Sequence, residues 1–305
     1  MADIRIGTAS WTDKSLIDSG RFYPRAAKRA EDRLRFYASQ FPIVEVDSSY
    51  YAMPDPRNSQ LWAQRTPEDF VFNVKAFRLF TGHQTAPAVL PPDIREALGP
   101  VGKTNVYYKG VPEELLDELW SRFRGALAPL RQAGKLGAVH FQFAPWVAFH
   151  PKSFEHVEQC AQRLEGHQLA VEFRNTSWFE ANHGDRTLAF ERALGLVNVV
   201  VDAPQGFANS VPSVWEITND ALAIVRLHGR NRETWNRKEL TTSAERFNYD
   251  YSTPELEELA RKIGALSRST RSTHVIFNNN YEDQGQRNAR ALTRILGGGS
   301  GAVVS

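Results

Sequence analysis

The segment Phe70-Val-Phe-Asn-Val-Lys75 is a short apolar run that ends at a charged side chain, and repetition of this pattern decides the fold. Eight such runs follow one another along the 305-residue chain. They end at Trp11, Ser49, Lys75, Gln142, Glu172, Asp202, His228 and Asn279. Helical or loop sequence follows each run, which is typical of a parallel sheet with right-handed crossovers. We therefore predict an α/β fold, a TIM-like (β/α)8 barrel in a single domain, with the polar strand ends at one shared mouth.

The predicted barrel domain covers residues 1–296, and a flexible glycine-rich tail follows at 297–305. Two connections are longer than ordinary barrel loops, residues 77–111 after the third strand and 228–253 after the seventh. Because both leave the carboxyl ends of strands, we expect them to lie over the mouth, with 77–111 as an insertion that covers it. No Gly-x-Gly-x-x-Gly follows the first strand, which argues against a dinucleotide-binding open sheet.

Composition excludes some classes of protein and leaves others open. The chain is 42% hydrophobic and 24% charged, as expected of a globular protein with a large core. A net charge of +2 gives no global argument for nucleic acid, and a single cysteine excludes an intramolecular disulfide and any multi-cysteine metal site. The first residues lack a signal-peptide layout, and no apolar run reaches the ~18 residues of a membrane span. We expect a cytoplasmic protein without a membrane partner; the oligomeric state is not indicated.

Alternation of side chains along the strands selects the candidate site residues. Glu172 and Arg174 share one side of the fifth strand, and Arg226 and His228 share one side of the seventh. The predicted ligand-binding residues at the mouth are Trp11, Glu45, Tyr51, Lys75, Gln142, Arg174, Arg226 and Asn279, and the candidate catalytic residues are Glu172, Asp202 and His228. For a pair such as Glu172 and Arg174, a buried ion pair that closes the barrel is the alternative.

Two chemistries fit this set. Glu172, Asp202 and His228 come from consecutive strands and offer ligands for a divalent metal, although no His-x-His pair supports one. In a metal-free site, Glu172 or Asp202 would act as general base while Lys75 and Arg226 neutralise an anion. Both chemistries predict a polar or anionic small molecule, that is, an anionic or polyhydroxy ligand at the mouth.

Aromatic and basic residues keep nucleic acid open as a ligand. Aromatic residues lie at or after the strand ends, namely Trp11, Tyr50, Tyr51, Trp146, Trp178, Trp215, Trp235, Tyr249 and Tyr251. Rings beside arginine and lysine suit stacking on bases or sugars, and the alternative is hydrophobic lining of the barrel rim. The loop after the seventh strand carries Arg230, Arg232, Arg237 and Lys238, which favours either phosphate binding or a solvated loop.

A series of short motifs runs along nearly the whole chain. They are Ile6-Gly-Thr-Ala-Ser-Trp11, Phe22-Tyr-Pro24, Val44-Glu-Val-Asp-Ser-Ser-Tyr-Tyr51, Phe70-Val-Phe-Asn-Val-Lys75, His140-Phe-Gln-Phe143, Val171-Glu-Phe-Arg174, Val225-Arg-Leu-His-Gly229 and Phe277-Asn-Asn279. Taken together, these motifs resemble the YecE-like family, domain of unknown function 72. The chain departs from the family pattern at Ala9-Ser10, where Ser-Gly or a similar pair often precedes the tryptophan, and 82–111 is an added stretch.

The resemblance implies a TIM-like barrel similar to the endonuclease IV and xylose isomerase group, but it implies no reaction. Three functional classes therefore stay open. One is an enzyme acting on a phosphoester or nucleic acid, as in endonuclease IV-like barrels. The others are a non-catalytic protein that binds a small molecule or nucleic acid, and a sugar isomerase-like enzyme.

Overall fold

Eight parallel strands close into one barrel in the computed structural model, which describes residues 3–99, 104–207, 210–237, 239–240 and 243–298. The strands are β1 (Asp3–Ala9), β2 (Ile43–Val46), β3 (Val71–Lys75), β4 (Leu136–Gln142), β5 (Leu169–Glu172), β6 (Val197–Asp202), β7 (Leu222–Leu227) and β8 (Ser272–Phe277). Each strand pairs with its neighbours in the sequence, and β1 pairs with β8 to close the ring. The predicted single-domain (β/α)8 barrel is confirmed.

Helices surround the barrel and pack on the outward side chains of the strands in one continuous hydrophobic cluster. They are α1 (Lys14–Ser19), α2 (Ala30–Ala38), α3 (Ser48–Tyr51), α4 (Pro56–Gln64), α5 (Pro92–Leu98), α6 (Glu113–Gln132), α7 (Pro151–Arg163), α8 (His183–Ala193), α9 (Ser243–Arg246), α10 (Thr253–Ser267) and α11 (Gln284–Gly298). Strand and helix alternate as predicted, with one exception between β6 and β7.

The connection from β6 to β7 has no helix in its described residues, 203–207 and 210–221. Side-chain hydrogen bonds hold it against β6 instead. The Asn198 amide donates to the carbonyls of Val214 and Glu216, each at 3.1 Å. The Thr218 hydroxyl accepts from the Asn198 N–H and donates to the Leu196 carbonyl, both at 2.7 Å. Side-chain hydrogen bonds thus satisfy the carbonyls of Val214 and Glu216, which helical hydrogen bonds would otherwise satisfy, and the predicted alternation fails here.

The barrel interior changes from apolar to charged towards the carboxyl ends of the strands. The apolar layer includes Ala138, Ala170, Val197, Val199, Val201, Leu222 and Ile224. Two residues further along the same strand faces, the interior side chains are those of His140, Glu172 and Arg226, all buried. The interior is thus a packed core below and a polar layer above, and the polar layer faces the mouth.

The second strand is shorter than its sequence predicts. Strand β2 ends at Val46, and the following residues form the short helix α3. The hydroxyl of Ser49 causes this turn by donating to the carbonyls of Val46, at 2.9 Å, and Lys75, at 2.7 Å. The two-residue alternation therefore stops at Val46, and Tyr51 lies at the rim with 52% of its surface exposed.

The insertion after β3 is partly regular. It contains α5 and two 3-10 turns, Pro87–Val89 and Tyr108–Gly110, while residues 100–103 lie outside the described residues. An antiparallel bridge between Thr85 and Val106 closes its base. At the other end of the chain, α11 includes residues 297–298, and the rest of the predicted tail lies outside the described residues. Within the described residues, we find no helix with the length and apolar character needed to cross a membrane.

Glu191 of α8 generates a prediction about stability. Its side chain is buried, neither carboxylate oxygen has a hydrogen-bond partner among the described residues, and burial raises its pKa well above the usual value. Because the folded state holds this proton more tightly than the unfolded chain, Glu191 costs stability as pH rises above about 4.3. We expect Glu191→Met to raise the free energy of unfolding at pH 7 by about 1–3 kcal/mol.

Urea unfolding at pH 7 and at pH 4.5 checks this expectation. The gain should shrink at the lower pH, where the unfolded chain is itself partly protonated at this position. Glu158→Met, at an exposed position of α7, is the matched control and should change stability little at either pH. A destabilised Glu191→Met protein, or a gain that does not depend on pH, would contradict the assignment.

Candidate functional site

Arg226 lies at the centre of the polar layer and holds two carboxylates. Its Nη2 donates to Oε1 of Glu45 at 2.7 Å, and its Nη1 donates to Oε2 of Glu172 at 2.6 Å. Nη1 also lies 3.2 Å from Oε1 of Gln142. All three charged side chains are buried, at 1% exposure or less. Buried charges persist in proteins when they are paired in this way.

His140 joins the two carboxylates below the guanidinium. Its Nδ1 is 3.1 Å from Oε2 of Glu45, and its Nε2 is 3.4 Å from Oε2 of Glu172. Burial is the largest influence and opposes the charge on both glutamates. The positive charge of Arg226, together with the contacts to His140, outweighs it, so the pKa of both carboxyls lies well below the usual value. Glu45 and Glu172 are therefore carboxylates at neutral pH. We call Glu45, His140, Glu172 and Arg226 the core ion network.

Arg174 and His228 form the layer above the network. Arg174 Nη1 donates to Oε1 of Glu172 at 2.8 Å and lies 3.4 Å from Nε2 of His228. The amide Nδ2 of Asn278 donates to Nδ1 of His228 at 2.8 Å, so the ring proton is on Nε2, 3.5 Å from Oε1 of Glu172. Burial lowers the pKa of His228 to about 4. At neutral pH, neither ring nitrogen of His228 is free to accept a proton from a ligand.

Two further cations, Lys75 and Arg78, lie at the rim of the mouth and both pack against the ring of Tyr50. Lys75 Nζ lies 4.7 Å from the ring centre of Tyr50, and the guanidinium of Arg78 lies 5.3 Å from the same centre. Lys75 is paired with Asp47, with Nζ and Oδ1 2.7 Å apart. Arg78 makes no ion pair with a described residue, and its buried Nε has no hydrogen-bond partner there. Arg78 is thus a guanidinium without a counterion in the described protein.

His83 lies beside these cations, and their positive charge affects its pKa. Its ring packs edge-on against Tyr50, with centroids 5.2 Å apart, and against Trp146, with centroids 5.8 Å apart. Burial, together with the positive charges of Arg78, Lys75 and Arg174, lowers the pKa of His83 to about 4. We call Tyr50, Lys75, Arg78, His83, Arg174 and His228 the mouth cluster.

The mouth has an excess of positive charge. The cations of the core ion network and the mouth cluster are Lys75, Arg78, Arg174 and Arg226. Three carboxylates face them, those of Glu45, Asp47 and Glu172. Both histidines with a lowered pKa are neutral at pH 7. One net positive charge therefore remains, and it lies at the rim rather than in the core.

Seven of the predicted residues converge at this site: Glu45, Lys75, Gln142, Glu172, Arg174, Arg226 and His228. Asp202 does not join them. Arg230 donates to its carboxylate through Nε and Nη2, at 2.7 to 3.1 Å, and the Tyr251 hydroxyl donates to Oδ1 at 2.7 Å. Asp202 shares a strand face with Val200, which packs against the helices, so its side chain points out of the barrel.

Trp11, Tyr51 and Asn279 also lie outside the converging set. Trp11 is buried and packs edge-on against Trp62 of α4, with centroids 5.5 Å apart. The amide of Asn279 donates to the carbonyl of Tyr249 and to Oδ1 of Asn288, at 2.8 and 2.7 Å. Trp11 and Asn279 are therefore packing residues behind the barrel wall, whereas Tyr51 is a rim residue, with its ring 5.0 Å from that of Tyr50.

Arg78 and His83 are site residues that the pattern of strand ends does not select. Arg78 and His83 belong to the insertion, whose path depends on tertiary contacts such as the Tyr50 ring. The available signal was the position of the insertion after a strand that ends at the mouth. Asn278 is adjacent to the selected Asn279, and the end of β8 at Phe277 places its amide, not that of Asn279, on His228.

The expected metal ligands do not form a metal site. Among the described residues, no three His, Cys, Asp or Glu side chains are grouped so that they could hold a metal ion. Glu172 and His228 are close, but Asp202 is directed away, and Glu172 already accepts hydrogen bonds from two guanidinium groups. The donor set at the mouth therefore suits an anion better than a divalent cation.

The core ion network generates a second prediction. In Arg226→Met, Glu45 would lose its guanidinium partner and Glu172 would keep only that of Arg174, so we expect a loss of about 3–5 kcal/mol in the free energy of unfolding at pH 7. The pKa of each carboxyl, lowered in the native protein, would rise in the variant. The deficit should therefore shrink as pH falls towards 5, since the carboxyls can then take up protons.

Urea unfolding of two further variants completes this test. Replacing both glutamates by glutamine in the Arg226→Met background should recover part of the lost stability, because no buried carboxylate is then left without a cation, although Arg174 loses its partner Glu172. Arg271→Met, at an exposed arginine whose nearest carboxylate oxygen is 3.9 Å away, should cost little. A loss in Arg226→Met as small as that in Arg271→Met would refute the central role of Arg226.

Comparisons with known proteins agree with the barrel. A family model described as "Protein of unknown function DUF72" matches residues 5–303. The UPF0759 protein YunF of Bacillus subtilis (strain 168) is 31% identical over 295 residues, which cover 96% of this chain and 94% of that protein. A DUF72 family protein of Enterococcus faecalis V583 has 27% identity and a TM-score of 0.78, covering 96% and 95% of the two chains. One of Thermotoga maritima MSB8 has 28% identity and a TM-score of 0.75, covering 97% and 99%.

Proposed function

The chain belongs to the DUF72 family of proteins of unknown function, as its sequence motifs predicted, and we propose that its barrel mouth binds an anionic ligand, a phosphate ester in particular. One observation supports this above the others: the guanidinium of Arg78 lies at the mouth with a buried Nε and no counterion among the described residues. A partly buried cation without a partner is costly, and a bound phosphate would supply the missing acceptors. We also propose that the protein is cytoplasmic, as its sequence predicts.

The charged groups favour binding over acid–base chemistry at this mouth. Glu45 and Glu172 are engaged by Arg226, Asp47 by Lys75, and the nitrogens of His228 face Asn278 and Glu172. The groups left for a ligand are therefore cations and aromatic rings. The sugar isomerase-like alternative loses support, because isomerases of this fold use carboxylate and histidine ligands on a metal, and these groups are occupied here.

Arg78→Met tests the proposal most directly, because the described protein gives Arg78 no ion pair that the substitution would break. With inorganic phosphate and pyrophosphate as probes, we expect calorimetric titration at low salt to show binding that weakens about 10-fold or more in Arg78→Met. Arg174→Met should weaken it too, whereas Arg261→Met, at an exposed position of α10, is the matched control and should not. Binding should also weaken with added salt. Wild-type affinity in Arg78→Met, or no binding of either probe, would overturn the proposal.

His83 provides a test that does not depend on a substitution. An anion beside the imidazole favours its charged form, so saturating pyrophosphate should raise the pKa of His83 from its value of about 4, and binding should tighten as pH falls towards that value. NMR titration of the histidine ring protons measures this shift. His274 is the internal control, because it lies near the opposite end of the barrel, where burial lowers its pKa to about 3. Equal shifts at both histidines, or none at His83, would place the anion elsewhere.

A further inference from the structure

A cleft of about 350 Å³ adjoins the mouth cluster and has aromatic walls. Tyr107 of the insertion and Trp146 of the loop after β4 both line it. These are two of the three large hydrophobic side chains most exposed in the described protein, at 45% and 53%. The indole N–H of Trp146 donates to the carbonyl of Gly82 at 3.0 Å, which fixes the ring beside the insertion. The cleft volume lies at the lower end of the range of small-molecule sites.

The cleft is connected to the cationic mouth by a series of ring contacts. Trp146 lines the cleft and also contacts His83, and His83 contacts Tyr50, on which Lys75 and Arg78 lie. These rings are in successive contact, so a continuous row of aromatic side chains leads from the cations of the mouth to the cleft. One ligand would thus contact both the aromatic side chains of the cleft and the cations of the mouth.

The cleft adds its own positive charge. Lys109 of the insertion and Lys152 at the start of α7 line it, both are exposed, and neither forms an ion pair with a described residue. His156, also at the cleft, is held by a 2.8 Å contact between its Nε2 and the carbonyl of Phe80. Exposed rings flanked by lysines form a surface that stacks on planar bases and attracts phosphate.

We propose that the ligand is a nucleotide unit, with its phosphate on the mouth cluster and its base stacked in the Tyr107–Trp146 cleft. This inference rests on the proposed anion site and narrows its ligand from a phosphate ester to one that carries a base. A sugar phosphate would use the cations, but its small, non-planar ring would cover less of the two aromatic side chains than a planar base does. The same chemistry has two sources, a free nucleotide and the phosphorylated end of a single strand.

The experiment compares four probes on the full chain: inorganic phosphate, ribose 5-phosphate, thymidine 5′-monophosphate and a 5′-phosphorylated single-stranded oligothymidylate. We expect thymidine 5′-monophosphate to bind about 10-fold or more tightly than ribose 5-phosphate, because only the former stacks. Trp146→Ala and Tyr107→Ala should remove this preference while keeping the affinity for inorganic phosphate. Arg78→Met should weaken all four. Quenching of Trp146 fluorescence gives a second readout of stacking.

Tyr51→Ala is the matched control, since Tyr51 is 52% exposed but does not line the cleft, and it should leave the preference intact. Tighter binding of the oligonucleotide than of the mononucleotide identifies a strand end as the ligand, and equal or weaker binding identifies a free nucleotide. Equal affinity for ribose 5-phosphate and thymidine 5′-monophosphate overturns the nucleotide inference but leaves the anion site standing. Failure of all four probes to bind overturns both.

Discussion

The pairing of one buried guanidinium with two carboxylates is the interaction on which the rest of the barrel depends. Arg226 comes from β7, and its acceptors come from β2, β4 and β5, so a single charge links strands on different sides of the ring. Because an uncompensated charge in the interior would cost several kcal/mol, these strands must keep their register. The network also separates the apolar core below from the accessible cations above, which leaves the rim as the part of the site available to a ligand.

The sequence was sufficient to predict the barrel and the inward set of polar residues, because both follow from periodicity. Glu45, Gln142, Glu172 and Arg226 lie on the predicted faces, since each is within a regular strand. The prediction was wrong for residues beyond the early end of a strand. It was also wrong where a residue was selected because it ends a strand, although its side chain lies on the outward face. The hydroxyl of Ser49 ends β2 before Tyr51, and such a side-chain contact with another strand leaves no local pattern.

Asp202 and Arg78 show two different limits of sequence reasoning. Asp202 is at a strand end, but it lies on the same strand face as Val200, which points towards the helices. The sequence alternation therefore predicts an outward side chain, and selecting Asp202 for its place at the strand end was wrong. Arg78 carries no such information. Its location depends on the Tyr50 ring, which belongs to another connection, and on the path of an insertion that no repeat constrains. Residues in long loops are placed by tertiary contacts, and these are the residues that give the mouth its charge.

The bridge between Thr85 and Val106 divides the insertion into a fixed base and a distal part. Both backbone hydrogen bonds of the bridge are present, at 2.9 and 2.7 Å, and both residues are buried. Arg78 lies before Thr85 in the chain, and Tyr107 directly follows Val106. Both side chains therefore belong to the base of the insertion, which the bridge holds in place. The spacing between them is therefore set by this base and not by the distal part, whose described residues are 86–99 and 104–105. The length of the insertion and the position of its two ligand-facing side chains are thus structurally separate properties, so a change in one need not disturb the other.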